Sequence, residues 1–133
     1  MAMIVIDASA LLELLLATAV GVRLRARLSS EGETLHAPHL LDLEILHALR
    51  RLYLIRELQP HRAAEALADL SDLRIVRHPH EPYISRIWQL RHSLTAYDAA
   101  YVALAEALDS PLITRDRRLA SAPGHRARIE VID

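Results

Sequence analysis

Short runs of β-branched and apolar residues recur along this 133-residue chain, and a helical pattern separates most of them from the next. Such runs are typical of strands buried on both faces of a parallel sheet, because crossovers between parallel strands are usually helices that cover the sheet. The predicted strands are Met3–Ile6, Thr34–Ala37, Leu73–Val76, Pro111–Thr114 and Ile129–Ile132. The alternation therefore predicts an α/β fold with a short central parallel sheet of about five strands and helices on both faces.

The segments between these strands carry helical periodicity. Pro38 and Pro60 each fit the first turn of a helix, where the missing N–H leaves no hydrogen bond unmade. The predicted helices are Ala8–Ala17, Ala19–Ser29, Pro38–Ile55, Pro60–Leu70, Glu81–His92, Ala96–Leu108 and Arg117–Ser121. Because no linker, repeat or low-complexity stretch divides the chain, we expect a single domain over residues 1–133.

Composition excludes several kinds of chemistry. The chain has no cysteine, which excludes disulfides, thiolate metal sites and cysteine nucleophiles. All 16 basic residues are arginines, so lysine-dependent P-loop and Schiff-base chemistry is excluded as well. At a net charge of −1, a polyanionic partner would need local arginines or a bound metal. The longest apolar stretch, Ala8 to Val22, is interrupted by polar residues and too short to span a bilayer, so we expect a soluble cytoplasmic protein with no membrane partner.

Four acidic residues far apart in the sequence are predicted to meet at one edge of the sheet. Asp7 directly follows the first strand and Asp116 follows the fourth, so both lie at carboxyl ends of strands. Glu44 lies early in the helix that leaves the second strand. Asp98 lies in the first turn of the helix that leads into the fourth strand, and that turn is at the same edge. Ligands of such sheets bind beyond the carboxyl ends of the strands.

Each of these carboxylates also has a structural interpretation. Asp7 and Asp116 could cap the helices that follow them, and Thr95 with Asp98 resembles a capping box. Glu44 has mostly apolar helical neighbours, and an inward carboxylate without a partner is costly. Clustered carboxylates without a lysine to neutralise them suit a hard divalent cation, Mg²⁺ or Mn²⁺. Such a cation can activate water and stabilise charge on a phosphodiester.

Hydroxyls and arginines flank the predicted site. Ser9 and Thr114 fit either hydrogen bonding at a helix start and a strand end, or the positioning of a metal or water. Arg115, Arg117 and Arg118 surround the last aspartate. They fit either contact with a substrate phosphate or a solvated loop that balances the acidic residues.

Aromatic and histidine residues carry weaker signals. Aromatic residues make up 4% of the chain, so no platform for stacking nucleic-acid bases is evident, and Tyr97 and Tyr101 are expected in the core. His36 with His39, and the His78–His80 segment, are the close histidine pairs. Neither has helical spacing or a third partner, so we do not expect a histidine metal site.

Four motifs in order carry a resemblance to a known family. They are Met3–Ser9 (MIVIDAS), Ala37–Pro38, Leu43–Glu44, Thr95–Glu106 (TAYDAAYVALAE) and Leu112–Asp116 (LITRD). Together they resemble a PIN domain and, more closely, the VapC-type toxin of bacterial VapBC toxin–antitoxin pairs. Any one of these motifs is weak, but their order and spacing are specific, and the resemblance spans the whole chain.

The resemblance implies an endoribonuclease that depends on Mg²⁺ or Mn²⁺ and cleaves RNA phosphodiester bonds with metal-activated water. The family's catalytic and metal-binding acidic quartet would fall on Asp7, Glu44, Asp98 and Asp116. A further acidic or amide residue often follows the last aspartate in this family, whereas Arg117 follows it here. The resemblance also implies a cognate antitoxin and a homodimer as partners.

The predicted helix Ala8–Ala17 is apolar nearly all round, so the surface that does not face the sheet should contact a second chain or be covered by later helices.

Three alternatives to a ribonuclease are a PIN-type nuclease of structured DNA, a catalytically silent PIN module that binds RNA or protein, and a phosphoaspartyl enzyme built on Asp7. The four filled acidic positions argue against the silent module. The lack of lysine, and of a second aspartate at position 9, argues against the phosphoaspartyl enzyme.

Overall fold

The computed structural model describes residues 2–133, without the side chains of Ser30 and Glu31. Strands and helices alternate along most of this length. The strands are β1 (Met3–Ile6), β2 (Thr34–Pro38), β3 (Ile75–His78), β4 (Leu112–Thr114) and β5 (Ile129–Val131). The α-helices are α1 (Ala8–Leu16), α2 (Ala19–Glu31), α3 (Leu40–Leu54), α4 (Pro60–Asp72), α5 (Ile84–Gln89), α6 (Ala96–Leu108) and α7 (Arg117–Ser121), with a 3₁₀ turn at Glu81–Tyr83.

The five strands of the described chain pair in parallel in one sheet, in the order β3-β2-β1-β4-β5, which confirms the predicted fold class. Strand β1 is central, because Ile4 pairs with Leu35 of β2 and Ile6 pairs with Ile113 of β4. The chain runs outward through β2 and β3, then crosses to the other side of β1 for β4 and β5. The carboxyl ends of β1 and β4 therefore flank the point where the strand order reverses, which is where open α/β sheets bind ligands.

Helix α1 is covered largely by the chain itself. Leu11, Leu14 and Leu15 are buried, and Leu12 and Leu16 are half-buried against the same core. Helices α2, α3 and α4 pack around α1 on the sides that the sheet leaves open. This favours the expectation that later helices cover its apolar surface. No helix within residues 2–133 is both long enough and apolar enough to cross a membrane.

Pro38 ends strand β2, so the predicted helix Pro38–Ile55 is wrong at its N-terminus. Pro38 pairs with His78 of β3, while the pairing of β2 with β1 stops two residues earlier. The absent N–H therefore breaks no hydrogen bond to β1, which is why a proline is tolerated at this strand end. Helix α3 begins at Leu40, after the His39 N–H donates to the His78 carbonyl at 2.9 Å.

Two other predicted elements have different bounds in the structure, for local reasons. Strand β3 starts at Ile75, two residues after the predicted start at Leu73, because Leu73 still belongs to the end of α4 and its N–H donates to the Asp69 carbonyl at 3.0 Å. The predicted helix Glu81–His92 starts as the 3₁₀ turn around Pro82 and continues as the short α5, which stops before the predicted end. Proline is accommodated in this first turn because no intrahelical partner is needed there.

Helices α1 and α2 approach each other closely at Gly21. A Cβ atom added at Gly21 would lie 1.9 Å from the Glu13 carbonyl oxygen, well inside van der Waals contact. The connection between the helices is short, with Ala17 in the left-handed region at a φ of 52°. Thr18 then caps α2, its hydroxyl accepting from the Gly21 N–H at 3.1 Å. The absence of a side chain at Gly21 is therefore required for this packing.

Replacing Gly21→Ala is expected to lower the free energy of unfolding by about 3 kcal/mol, because the added methyl group forces α1 and α2 apart. Gly32→Ala is the matched control. Its φ of +63° carries a cost of about 1–2 kcal/mol, but nothing lies within 4 Å of the added Cβ. Chemical denaturation of both variants measures the difference, and equal losses would contradict the close helix contact.

Candidate active site

Asp7 lies at the carboxyl end of β1 and is 7% exposed. Its Oδ1 accepts from the Ala10 N–H at 3.1 Å and from the Ser9 hydroxyl at 2.6 Å, and its Oδ2 accepts from the Thr114 hydroxyl. The bond from Ala10 caps α1, as the structural interpretation of this residue predicts. Burial raises the pKa of Asp7, and the three hydrogen bonds offset part of that rise. The carboxylate is thus held from both β1 and β4, which a helix cap alone does not require.

Ser9 and Thr114 connect the end of β1 to the loop after β4. Their hydroxyl oxygens are 3.3 Å apart, and Thr114 is fully buried. Both hydroxyls donate to Asp7. At the same time, the Ser9 hydroxyl accepts from the Arg115 N–H at 2.9 Å, and the Thr114 hydroxyl accepts from the Asp116 N–H at 3.0 Å. These bonds fix the backbone of Asp116 relative to the Asp7 carboxylate.

Glu44 projects from α3 and meets Tyr101 of α6. The Tyr101 hydroxyl donates to Oε1 of Glu44 at 2.7 Å, and the tyrosine is 2% exposed. Partial burial raises the pKa of Glu44, the charges of Asp98 and Asp7 raise it further, and the bond from Tyr101 opposes them. Burial also raises the pKa of Tyr101, so its hydroxyl stays protonated and remains a donor. Tyr101 therefore lies in the core as predicted, while its contact with Glu44 was missed because apolar spacing carries no signal for it.

Asp98 lies half-buried in the first turn of α6. The Thr95 hydroxyl caps this helix by accepting from the Asp98 N–H at 3.1 Å, which is one of the two hydrogen bonds of a capping box. Burial raises the pKa of Asp98, and the charge of Asp116 raises it further, against a smaller opposing effect of Arg118. Because Thr95 caps the helix, the Asp98 carboxylate is not itself needed to satisfy the first backbone N–H groups.

Asp116 caps the short helix α7 by accepting from the Arg118 N–H at 2.9 Å. The Arg118 guanidinium binds both carboxylate oxygens, at 3.0 and 2.7 Å. This pairing lowers the pKa of Asp116. The Arg118 side chain is 84% exposed, so the ion pair lies in water and costs little to exchange for another contact.

The other two predicted phosphate-contacting arginines point elsewhere. Arg115 pairs with Glu13 of α1 at 2.8 Å, and Arg117 pairs with Asp133. Both arginines are exposed, in keeping with a solvated loop. Arg118 is thus the member of this trio that bonds to a predicted site carboxylate.

The four predicted carboxylates are brought to one edge of the sheet without forming a ready set of ligands. The charge of Asp98 raises the pKa values of Asp7 and Glu44, and that of Asp116 raises the pKa of Asp98. In the described part of the chain, no three His, Cys, Asp or Glu side chains are grouped closely enough to hold a metal ion as they stand. Two of the carboxylates, Glu44 and Asp116, are instead hydrogen-bonded to Tyr101 and Arg118.

A groove of about 770 Å³ lies between α1, α3 and α6 and reaches one of the four carboxylates, Glu44. Glu44 and Ser9 line it together with apolar residues, and Tyr97 forms part of its wall. The expectation that Tyr97 packs in the core is wrong, because its ring is 63% exposed. Only one side of the first turn of α6 faces the core, and Tyr97 lies on the other.

Two histidines bond to each other across β2 and β3. His36 Nδ1 and His78 Nε2 are 2.9 Å apart, and the Thr34 hydroxyl lies 3.0 Å from His36 Nε2. Desolvation lowers the pKa values of both rings. The ring that accepts in this hydrogen bond must be neutral, and desolvation favours the neutral form of the other ring as well, so this pair is a structural feature of the sheet.

Replacing Asp98→Asn is expected to leave thermal stability unchanged or to raise it near pH 7. A raised pKa means that the folded state binds the proton more tightly than the unfolded chain, so ionisation of Asp98 destabilises the fold as pH rises above 3.8. The difference in stability between the variant and the wild type should therefore narrow as pH falls toward 3.8. Thr95→Ala is the comparison, because loss of the cap should cost about 1 kcal/mol. A clear drop in the melting temperature of the Asp98 variant would favour a capping role.

Replacing Tyr101→Phe is expected to raise the pKa of Glu44, because it removes the hydrogen bond that stabilises the ionised carboxylate. The free energy of unfolding should fall by about 1–2 kcal/mol. Carboxyl carbon resonances followed by NMR across a pH titration measure the first effect, and denaturation measures the second. Tyr97→Phe, one helical turn away, should change neither. An unaltered Glu44 titration in the Tyr101 variant would show that this hydrogen bond does not form in solution.

Comparison with known proteins places this geometry in a family. Residues 4–124 match the model of the PIN domain. Ribonuclease VapC12 of Mycobacterium tuberculosis is 43% identical to this chain over 130 residues, which cover 98% of this chain and 99% of the relative. Ribonuclease VapC1 of the same species is 46% identical over 129 residues, which cover 96% of each protein. The crystal structure of VapBC2 from Rickettsia felis bound to a DNA fragment from their promoter aligns with a TM-score of 0.73 at 11% identity, covering 98% of this chain and 99% of that one, which supports the fold. The chain therefore belongs to the PIN-domain family and, within it, to the VapC group.

Proposed function

We propose that this chain is a divalent-metal-dependent endoribonuclease that acts as the toxin of a toxin–antitoxin pair. The observation that carries the proposal is the convergence of Asp7, Glu44, Asp98 and Asp116 at the carboxyl edge of the sheet, where burial and mutual repulsion raise the pKa values of the first three. Relatives that match over nearly the full length are named ribonucleases, which supports RNA as the polymer that is cleaved.

The residues present fit a hard divalent cation, Mg²⁺ or Mn²⁺. Carboxylate oxygens are the donors that such cations prefer, and a cation would relieve the repulsion recorded in the raised pKa values. Asp7, Glu44, Asp98 and Asp116 would hold it, once Arg118 releases the last of them. When bound, such a cation lowers the pKa of water and stabilises negative charge on a phosphodiester.

The neighbouring residues position these carboxylates. Ser9 and Thr114 donate to Asp7 and hold it at the end of β1. Tyr101 orients Glu44 from within the core. Arg118, when it leaves Asp116, carries a planar guanidinium that matches the geometry of a substrate phosphate. The ion pair of Arg115 with Glu13 is exposed and therefore weak, so Arg115 can exchange Glu13 for a substrate phosphate in the same way. Arg117 is a third candidate for such a phosphate contact.

Two protein partners belong to the same proposal. The structural neighbour from Rickettsia felis is a VapBC complex, which supports a cognate antitoxin as a partner of this chain. We also propose a homodimer, as is implied by membership of the VapC group. An RNA target and an antitoxin that binds DNA would place the protein in the cytoplasm.

Metal dependence is tested by incubating the purified protein with a mixture of cellular RNAs in excess chelator and then adding back Mg²⁺ or Mn²⁺. Cleavage should stop in chelator and return with either ion, because the cation would supply the activation of water and the stabilisation of negative charge on the phosphodiester. Undiminished cleavage in chelator would refute the metal-dependent mechanism.

Site variants identify the residues that act. Asp7→Asn, Glu44→Gln, Asp98→Asn and Asp116→Asn should each lower the cleavage rate to about one-hundredth of wild type or less, since each removes a charged ligand. Asp69→Asn is the control, because Asp69 is an exposed acid on α4. Calorimetric Mn²⁺ binding should weaken in the four site variants and stay unchanged in the control. A site variant with normal rate and normal binding would remove that residue from the proposed site.

A further inference from the structure

Three surface clefts that share lining residues lie next to one another beside the proposed site. The cleft between α5 and the start of α6 has a volume of about 450 Å³ and contains Trp88 and Arg91. It shares Ile87 with a cleft of about 200 Å³ that reaches Tyr97. Tyr97 in turn lines the 770 Å³ groove that contains Glu44. We call this combined surface, marked by these five residues, the aromatic groove.

Two aromatic rings face solvent in the aromatic groove. Trp88 is 65% exposed and Tyr97 is 63% exposed. The Arg91 guanidinium carbon lies 4.5 Å from the Trp88 ring centroid, and the same side chain donates to the Trp88 carbonyl at 2.9 Å. Exposed rings, one of them covered in part by a guanidinium plane, are surfaces on which nucleic-acid bases stack.

The charges along the aromatic groove suit a polyanion. Arg91 lines the cleft that contains Trp88, and Arg51 lines the groove that contains Glu44. Among the described residues that line the three clefts, Glu44 is the one carboxylate, and the proposed cation would offset its charge. Arginine is suited to this role because its planar group can both pair with phosphate and stack on a base.

The aromatic groove also leads directly away from the proposed site carboxylates. Tyr97 immediately precedes Asp98 in the first turn of α6. Thr95, which caps that turn, lines the cleft that contains Trp88. A strand whose phosphate lies at the carboxylates can therefore run along Tyr97 toward Trp88.

We propose that the aromatic groove binds unpaired bases of the RNA substrate, which stack on Tyr97 and Trp88 next to the phosphate that is cleaved. The proposal rests on the ribonuclease function above and narrows its substrate to single-stranded segments. Bases within a duplex already stack on their own neighbours and do not present their faces to the rings. The other occupant to be tested is a second protein chain.

Trp88 is the single tryptophan of the chain, so intrinsic tryptophan fluorescence reports on this ring alone. The Asp98→Asn protein, which should not cleave, is titrated in Mg²⁺ with an unstructured RNA strand of about ten nucleotides. The same strand in a duplex, and an abasic strand of equal charge, are titrated in parallel. We expect saturable quenching by the single strand and about tenfold weaker binding of the other two. Equal binding of all three would overturn the proposal, because phosphates alone would then account for it.

Substitutions separate stacking from apolar packing. Trp88→Leu and Tyr97→Leu keep an apolar side chain, and each should raise the Kd for the single strand and the KM for its cleavage about tenfold, with kcat little changed. Tyr97→Phe keeps the ring and should behave as wild type. Tyr53→Leu is the matched control, because Tyr53 is 48% exposed but lines a different cleft.

The oligomeric mass of every variant is measured alongside binding. Leucine variants that alter the mass but bind the single strand normally would make the aromatic groove a protein interface and overturn the proposal. RNA cleavage by the wild type without any response of Trp88 would leave the ribonuclease function standing and refute base stacking. Quenching by the single strand without cleavage under any divalent ion would support base binding and refute the ribonuclease function.

Discussion

The charge of the Asp7 carboxylate has to be satisfied inside the protein, and the edge of the sheet is organised around that requirement. A buried carboxylate without partners would be costly. Here the partners come from the first turn of α1, from Ser9 and from Thr114 at the end of β4. The same hydroxyls accept from the backbone after β4 and so place Asp116. The hydrogen bonds that satisfy this one buried carboxylate therefore connect β1 to β4, cap α1 and position Asp116.

The parts of the fold that depend on periodicity and topology could be predicted from the sequence. The apolar runs identify the strands because a strand covered on both faces must be apolar throughout, as the fully buried Ile4, Val5 and Ile6 illustrate. The convergence of the acidic residues at one edge follows because helices in such a sheet leave and return at fixed edges. Pro38 could not be placed in this way, because whether a proline ends a strand or begins a helix depends on which neighbouring strand needs its N–H.

The parts of the site that depend on side-chain direction could not be predicted. Tyr97 and Tyr101 are one turn apart with similar neighbours, yet one is 63% exposed and the other 2%. Their difference arises from how far α6 is rotated toward the core, which no local pattern specifies. The pairing of Arg118 with Asp116, rather than with solvent or substrate, is likewise a matter of rotamer choice at an exposed loop. For the same reason, a low aromatic content did not indicate that Tyr97 would be exposed in the groove that Glu44 lines.

The hydrogen-bonded series Thr34–His36–His78 carries a direction, because a neutral imidazole donates through one nitrogen and accepts through the other. Reversing the donor in one link requires the tautomer of the shared ring to reverse as well, so the two links switch together. Protonation of both rings would set two N–H groups against each other between β2 and β3. Desolvation lowers the pKa values of both rings, so protonation at low pH favours the unfolded chain. Because β3 is an outer strand whose neighbour is β2, acid should loosen the sheet first at this rim. The histidine pair between β2 and β3 would thus respond to acid at a place distinct from the carboxylates that would hold the proposed cation.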